Sequence, residues 1–155
     1  LNLTYVGDGN NVCNSLLFGC ALVGMDISVA SPKGYEPAKD VVKKATECAA
    51  RFGSSIEITN SVEKAAKDAD VIYTDVWASM GQEKEQQLRV KAFEGFQANA
   101  KNLKSAAGDY IFLHCLPAHR GEEVAAEIID GPHSVIYDEA ENRLHAQKAV
   151  MALLM

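Results

Sequence analysis

His114-Cys115-Leu116-Pro117-Ala118-His119-Arg120 places a thiol, two imidazoles and a guanidinium directly behind the apolar run Tyr110-Ile111-Phe112-Leu113. That run reads as a buried strand, so the polar groups fall at its end, the edge where open α/β sheets gather their chemistry. Pro117 stops the strand and fixes the turn that aims its neighbours. A second polar segment, Asp75-Val76-Trp77-Ala78-Ser79-Met80-Gly81-Gln82, follows the strand-like Val71-Ile72-Tyr73. An acid at a strand end can bind an ammonium, and Ser79 can reach the same ligand if the loop folds over it. Gly81 gives that loop backbone freedom. The bland alternatives are a turn or cap for Asp75 and packing for Trp77 and Met80.

Cys115 shares the sheet edge with Asp75. Neighbouring negative charge opposes thiolate formation, so a neutral thiol that relays or accepts a proton from an amine is at least as sensible as a covalent nucleophile. No G-x-S-x-G elbow accompanies a serine, and the histidines lack partners at metal-ligand spacing. His114 can simply order the strand end, His119 and Arg120 can serve a polar turn, and His133 and His145 read as structural. Arg143, in Asp138-Glu139-Ala140-Glu141-Asn142-Arg143, stands just beyond a strand end, where a guanidinium can grip a phosphate or carbonyl oxygen. Its alternative is a surface bridge to Glu139 or Glu141.

The elements that must carry these groups alternate. Strands are expected at Leu1 to Val6, Asp26 to Ala30, Ser55 to Ile58, Val71 to Tyr73, Tyr110 to Leu113 and Ser134 to Tyr137. Helices are expected over Val12 to Gly24, Glu36 to Phe52 with Gly53 as C-cap, Ser61 to about Lys67, a segment capped by Asn99, Glu122 to Ile128, and Asn142 to Leu154. Such alternation demands parallel pairing through right-handed crossovers, giving a single three-layer α/β domain with a Rossmann-like doubly wound parallel sheet and helices on both faces. The stretch Thr74 to Gln87 is long for a βα connection, as functional lids often are.

Gly7-Asp8-Gly9-Asn10-Asn11 after the first strand gives only half of a dinucleotide fingerprint. Val12 stands where the third glycine belongs, and the second strand ends Val29-Ala30-Ser31-Pro32 without a ribose-binding acid. The two asparagines suit a zwitterionic ligand at a helix start, Asn10 better as cap and Asn11 better as ligand.

The chain has 155 residues, 48% hydrophobic, with a formal net charge of -6. That suffices for one domain and lacks the basic face that nucleic acid requires. The four cysteines show neither a zinc-ribbon nor a disulfide spacing, which suggests a reducing, cytoplasmic setting. No apolar stretch approaches the roughly 20 residues that cross a bilayer. The abrupt start inside a strand-like run suggests a piece of something longer.

Together the segments Gly7 to Asn11, Asp75 to Gly81, His114 to His119 and Glu141 to Arg143 resemble the ornithine-binding domain of the ornithine carbamoyltransferases, and the likeness spans almost the whole of residues 1–155. The resemblance implies transfer of the carbamoyl group of carbamoyl phosphate to the δ-amine of L-ornithine, giving citrulline and phosphate, as in arginine biosynthesis, without metal or organic cofactor. It implies that Asn11, Asp75, Ser79 and Met80 bind ornithine and that Cys115, Leu116 and Arg143 meet carbamoyl phosphate, with Asp75, Cys115 and Arg143 catalytic. It also implies a homotrimer or a multiple of trimers.

The family's N-terminal carbamoyl phosphate-binding domain, with its Ser-x-Arg-Thr-Arg cradle and His-Pro-x-Gln segment, has no counterpart in these residues, so this domain alone is expected not to turn over. A putrescine or other amine carbamoyltransferase and a non-catalytic amino-acid-binding module stand as alternatives. An aspartate-using relative is expected to carry leucine in place of Cys115.

Overall fold

The computed structural model describes residues 1–78 and 85–155. Ser79 and Met80 therefore lie outside the described residues. Five strands form one parallel sheet: β1 (Asn2–Val6), β2 (Asp26–Ala30), β3 (Ile56–Thr59), β4 (Val71–Thr74) and β5 (Ile111–His114), in the order β3-β2-β1-β4-β5. The chain winds outward from β1 in one direction and then resumes beside β1 with β4. This switch leaves a crevice between the carboxyl ends of β1 and β4, the place where doubly wound sheets bind ligands.

Period-two alternation divides the core. Leu3, Tyr5, Ile27, Val29 and Tyr73 point to one face with Leu17 and Cys20 of α1 (Asn11–Val23) and Ala45 of α2 (Lys39–Phe52). Ile72 and Phe112 point to the other, against Val124, Ile128 and Ile129. Gly53 adopts φ 77 and returns its N–H to the Ala49 carbonyl, so α2 ends as its sequence indicates. Ser61 caps the short α3 (Val62–Ala65) by accepting the Lys64 N–H.

Three expectations need correction. Ser134 to Tyr137 is not a sixth strand: Ser134 makes one isolated bridge to Phe112, and from Ile136 the chain is helical as α6 (Ile136–Leu154). Asp138 and Glu139 fall in its first turn, where acids favour a helix start. Asn99 does accept the Asn102 N–H, but what it opens is a run of turns and not a helix. Glu122 to Ile128 is helical only in α5 (Ala126–Ile129), because Val124 is occupied in bridges to Ala98 and Arg120. Between β4 and β5 lies α4 (Gln86–Ala92).

Gly9 meets its own chain. A Cβ there would fall 2.2 Å from the Pro37 nitrogen, and its N–H donates to the Tyr35 carbonyl at 2.7 Å. The glycine is required by packing of the β1–α1 turn on residues 35–37, which accounts for a half-complete nucleotide fingerprint. Among the described residues, no helix is long and apolar enough to cross a membrane.

Candidate active site

The β1–α1 turn and the ends of β4 and β5 converge on one carboxylate. Asp75, one residue past β4, is 6% exposed. Its Oδ1 accepts the Val76 N–H at 2.8 Å and the Cys115 thiol at 3.0 Å, while Oδ2 accepts the Asn10 amide at 2.8 Å. Asn10 is held in turn: its Oδ1 accepts the N–H groups of Val12 and Cys13, capping α1, and the Tyr5 hydroxyl at 3.3 Å. One side chain thus closes a helix end and orients the carboxylate.

Asn11, the first residue of α1, is exposed, and no side-chain hydrogen bond ties it down among the described residues. Cap and open group divide between the two asparagines as the sequence suggests. The cap also reaches Asp75, a contact 65 positions apart in the chain that no local pattern could signal.

Burial and then the hydrogen bond and charge of Asp75 push the Cys115 thiol up to about 12. At neutral pH it carries its proton and donates it to Asp75, which suits a relay and not a standing thiolate. Leu116 has φ 56, a conformation that a non-glycine residue holds only when its surroundings impose it. A groove of about 550 Å³ opens beside these residues, lined by Cys115, Leu116, Glu139 and Arg143 among others. Arg143 is exposed, and among the described residues it bridges neither Glu139 nor Glu141. Glu141 contacts His145 instead, at 3.2 Å. The structure therefore joins Asp75 directly to Cys115 and sets Arg143 in the groove flanking Cys115 and Leu116.

Three supporting groups escaped the sequence reading. Glu139, in sequence no more than a possible surface partner for Arg143, accepts the Tyr73 hydroxyl at 2.6 Å and the His114 N–H at 2.9 Å, tying α6 to the ends of β4 and β5. Burial, and then this bond, raise the Tyr73 phenol well above its ordinary range. Arg89 of α4 is 7% exposed. It donates to Asp8 at 2.7 Å and to the Trp77 carbonyl at 3.0 Å, and its guanidinium lies 5.2 Å from the Tyr35 ring centroid. Glu123 is wholly buried beside His114. No local pattern around Arg89 or Glu123 signals these partners, since Asp8, Tyr35 and His114 lie on other segments of the chain.

Among the described residues, one group brings three potential metal ligands within 4.8 Å: His119, Glu122 and Glu123. The Glu123 Oε1 already accepts the His119 N–H and faces His114 Nε2.

The family described as aspartate/ornithine carbamoyltransferase, Asp/Orn binding domain, matches residues 1–154. The chain is 59% identical over 155 residues to an ornithine carbamoyltransferase of Pyrococcus horikoshii, covering 100% of this chain and 49% of that protein. It is 57% identical to one from Symbiobacterium thermophilum, covering 50% of that protein. Against the solved ornithine carbamoyltransferase of Pyrococcus furiosus, 99% of this chain and 49% of that one superpose with a TM-score of 0.94 at 57% identity. The anabolic enzyme of Campylobacter jejuni gives 0.93 at 42% identity, over 98% of this chain and 50% of that one. The chain thus spans about half the length of the curated relatives it matches. With its β1–β4 crevice, its paired Asp75 and Cys115 and this match over nearly its whole length, the chain belongs to the aspartate/ornithine carbamoyltransferase family, within that family's Asp/Orn-binding domain.

Proposed function

We propose that this chain is the ornithine-binding part of an ornithine carbamoyltransferase, which moves the carbamoyl group of carbamoyl phosphate onto the δ-amine of L-ornithine to give L-citrulline and phosphate. The observation that carries the reading is the 3.0 Å contact between the Cys115 thiol and Asp75, in a chain 59% identical to a protein of that name. A buried carboxylate beside a neutral thiol suits a cationic or amine-bearing ligand and offers nothing to a second carboxylate at that point. Cys115, where an aspartate-using relative is expected to have leucine, supports the same choice.

In this reading Asp75 holds an amino group of ornithine, and Asn11, Ser79 and Met80 complete the amino-acid site. Cys115 supplies a protonated neighbour for the δ-amine. The lone pair of the neutral amine attacks the carbamoyl carbon and the C–N bond forms; as the tetrahedral intermediate collapses the C–O bond to phosphate breaks, and the proton shed by that nitrogen leaves on the phosphate. Arg143 and the Leu116 carbonyl meet the carbamoyl phosphate. Removing charge from water strengthens each of these contacts. The exposed Leu144, Val150, Met151 and Leu154 of α6 lie along one side of the helix, an apolar face of the sort a further domain covers. A trimeric enzyme in the cytoplasm, with a carbamoyl phosphate-binding half contributed by the rest of the protein, completes the proposal.

The test is product formation by the complete enzyme carrying this domain, offered carbamoyl phosphate with ornithine, putrescine or aspartate in turn. Citrulline from ornithine at the highest kcat/KM supports the reading. Preference for putrescine overturns the substrate, and carbamoylation of none of the three favours an amino-acid-binding module.

A further inference from the structure

Glu123 stands nine residues after His114, and the side chains of both are fully buried. Oε1 of Glu123 lies 3.2 Å from Nε2 of His114 and accepts the His119 N–H at 2.5 Å. On the opposite side of the ring, Nδ1 of His114 accepts the Leu116 N–H at 2.9 Å. A ring nitrogen that accepts from a backbone amide keeps its lone pair, so the proton of the neutral ring stands on Nε2 and is donated to Glu123. The contacts therefore run in one direction, from the Leu116 amide through the imidazole to the carboxylate.

What this line holds is the segment that carries the reacting edge. Leu116, at φ 56, is the residue whose amide His114 binds, and Cys115 sits between the two. Glu139 fixes the His114 backbone N–H from the other side. Glu123 also bears an unexplained cost: its Oε2 has no hydrogen-bond partner among the described residues and lies 3.8 Å from His119 Nδ1. An apolar side chain of similar volume would be easier to bury than this carboxylate, so fold stability alone does not account for it.

We propose that Glu123 is a positioning residue for the reacting edge: through the Nε2–H tautomer of His114 it fixes the Leu116 amide and so sets where the Cys115 thiol meets Asp75. The proposal rests on the reading of the Asp75–Cys115 edge as the amine site. It adds a buried acid that touches no substrate and acts through an imidazole, the arrangement by which carboxylates elsewhere orient a working histidine.

Two variants of the complete enzyme and one measurement on the wild type test it. Glu123→Gln keeps an acceptor oxygen for His114 and His119, and Glu123→Leu keeps bulk and removes the acceptor. The glutamine variant is expected within about threefold of wild-type kcat, and the leucine variant about 100-fold lower, the scale of loss when a reacting group is displaced by an ångström. In the leucine variant the alkylation of Cys115, read by mass spectrometry of its peptide, should also shift to lower pH, because the thiol has left Asp75. Labelled-histidine NMR of the wild type should show His114 as the Nε2–H tautomer. The proposal is overturned by an Nδ1–H tautomer, by a leucine variant with wild-type kcat and alkylation profile, or by a glutamine variant that falls as far as the leucine one. The tautomer is read without Glu123→Leu having to fold. Tautomer and alkylation are also read without turnover, so they fail independently of the ornithine assignment, which fails instead if the wild type makes no citrulline.

Discussion

The Cys115 thiol donates to Oδ1 of Asp75 across 3.0 Å, joining the ends of two adjacent strands, β5 and β4, in a single hydrogen bond. The thiol is pushed up to about 12 by burial first and by this bond second, so removing the carboxylate must bring it down. Asp75→Asn should therefore make Cys115 alkylate faster at a pH near the 9.0 of an ordinary thiol, as followed by peptide mass spectrometry. An unchanged rate would mean that Asp75 does not govern the thiol.

The same protons make stability depend on alkaline pH. Cys115 at about 12 and Cys20 at about 11 both lie above the 9.0 of an ordinary thiol, so the folded chain keeps protons that the unfolded chain gives up. Their contribution is complete below pH 9.0 and is lost as pH rises through those folded-state values. Thermal melting should show a plateau and then a decline above that point, shallower in Cys115→Ala. A wild-type profile that stays level throughout contradicts the assignment of neutral, buried thiols.

Asn10 joins a helix cap to the site, and two substitutions separate the roles. Asn10→Ala removes the acceptor for Val12 and Cys13, a loss of about 1 to 2 kcal/mol for a capping residue, measured by urea denaturation. Asn10→Asp keeps the cap but sets a second carboxylate against Asp75, so stability should recover more fully than ornithine KM. Equal recovery of both would show that the Asn10–Asp75 contact, 2.8 Å long, does not tune the site.

Gly9→Ala drives a methyl group into the Pro37 nitrogen and the Glu36 carbonyl carbon, 2.2 and 2.4 Å away. Backbone cannot yield as a flexible side chain can. The expected cost is about 3 kcal/mol or more, at the upper end of overpacking effects. A melting temperature within a degree or so of wild type would show that residues 35–37 can move away from the turn.

Arg89 and Asp8 form an ion pair with side chains 9% and 13% exposed. Leaving one buried charge unpaired costs about 3 to 5 kcal/mol, whereas replacing both with apolar groups costs far less. Arg89→Leu alone should be markedly less stable to urea than Arg89→Leu with Asp8→Leu. The opposite order would show that the pair contributes through attraction and not through mutual neutralisation.

The sequence made β2 legible to the residue, α1 to within one residue at each end and α2 at its C-terminus, because alternation, Asn10 and the glycines at 24 and 53 mark those ends; α2 begins at Lys39, with no side-chain cap, and not at Glu36. It misled at Ser134 to Tyr137, where a β-branched run precedes two acids. Locally that run favours a strand, but a single bridge to Phe112 is all the edge of β5 offers before the helix starts at Ile136, with Asp138 and Glu139 in its first turn. The pairing at the centre of the candidate site was legible because strand ends carry their own polar residue, as at Asp75 and Cys115. Glu123, Glu139 and Arg89 were opaque because an acid or arginine on a polar surface looks the same in sequence as one buried against a partner. Their roles come from where the fold sets Tyr73 of β4, His114 of β5 and Asp8 of the β1–α1 turn.

The central claim, that Asp75 and Cys115 together form the amine site for ornithine, is tested most directly by titrating ornithine into the wild-type complete enzyme and its Asp75→Asn variant, with carbamoyl phosphate present in an unreactive analogue form. Removal of a charge-assisted partner should weaken ornithine binding by about tenfold or more. Equal affinity in the two proteins would contradict the claim.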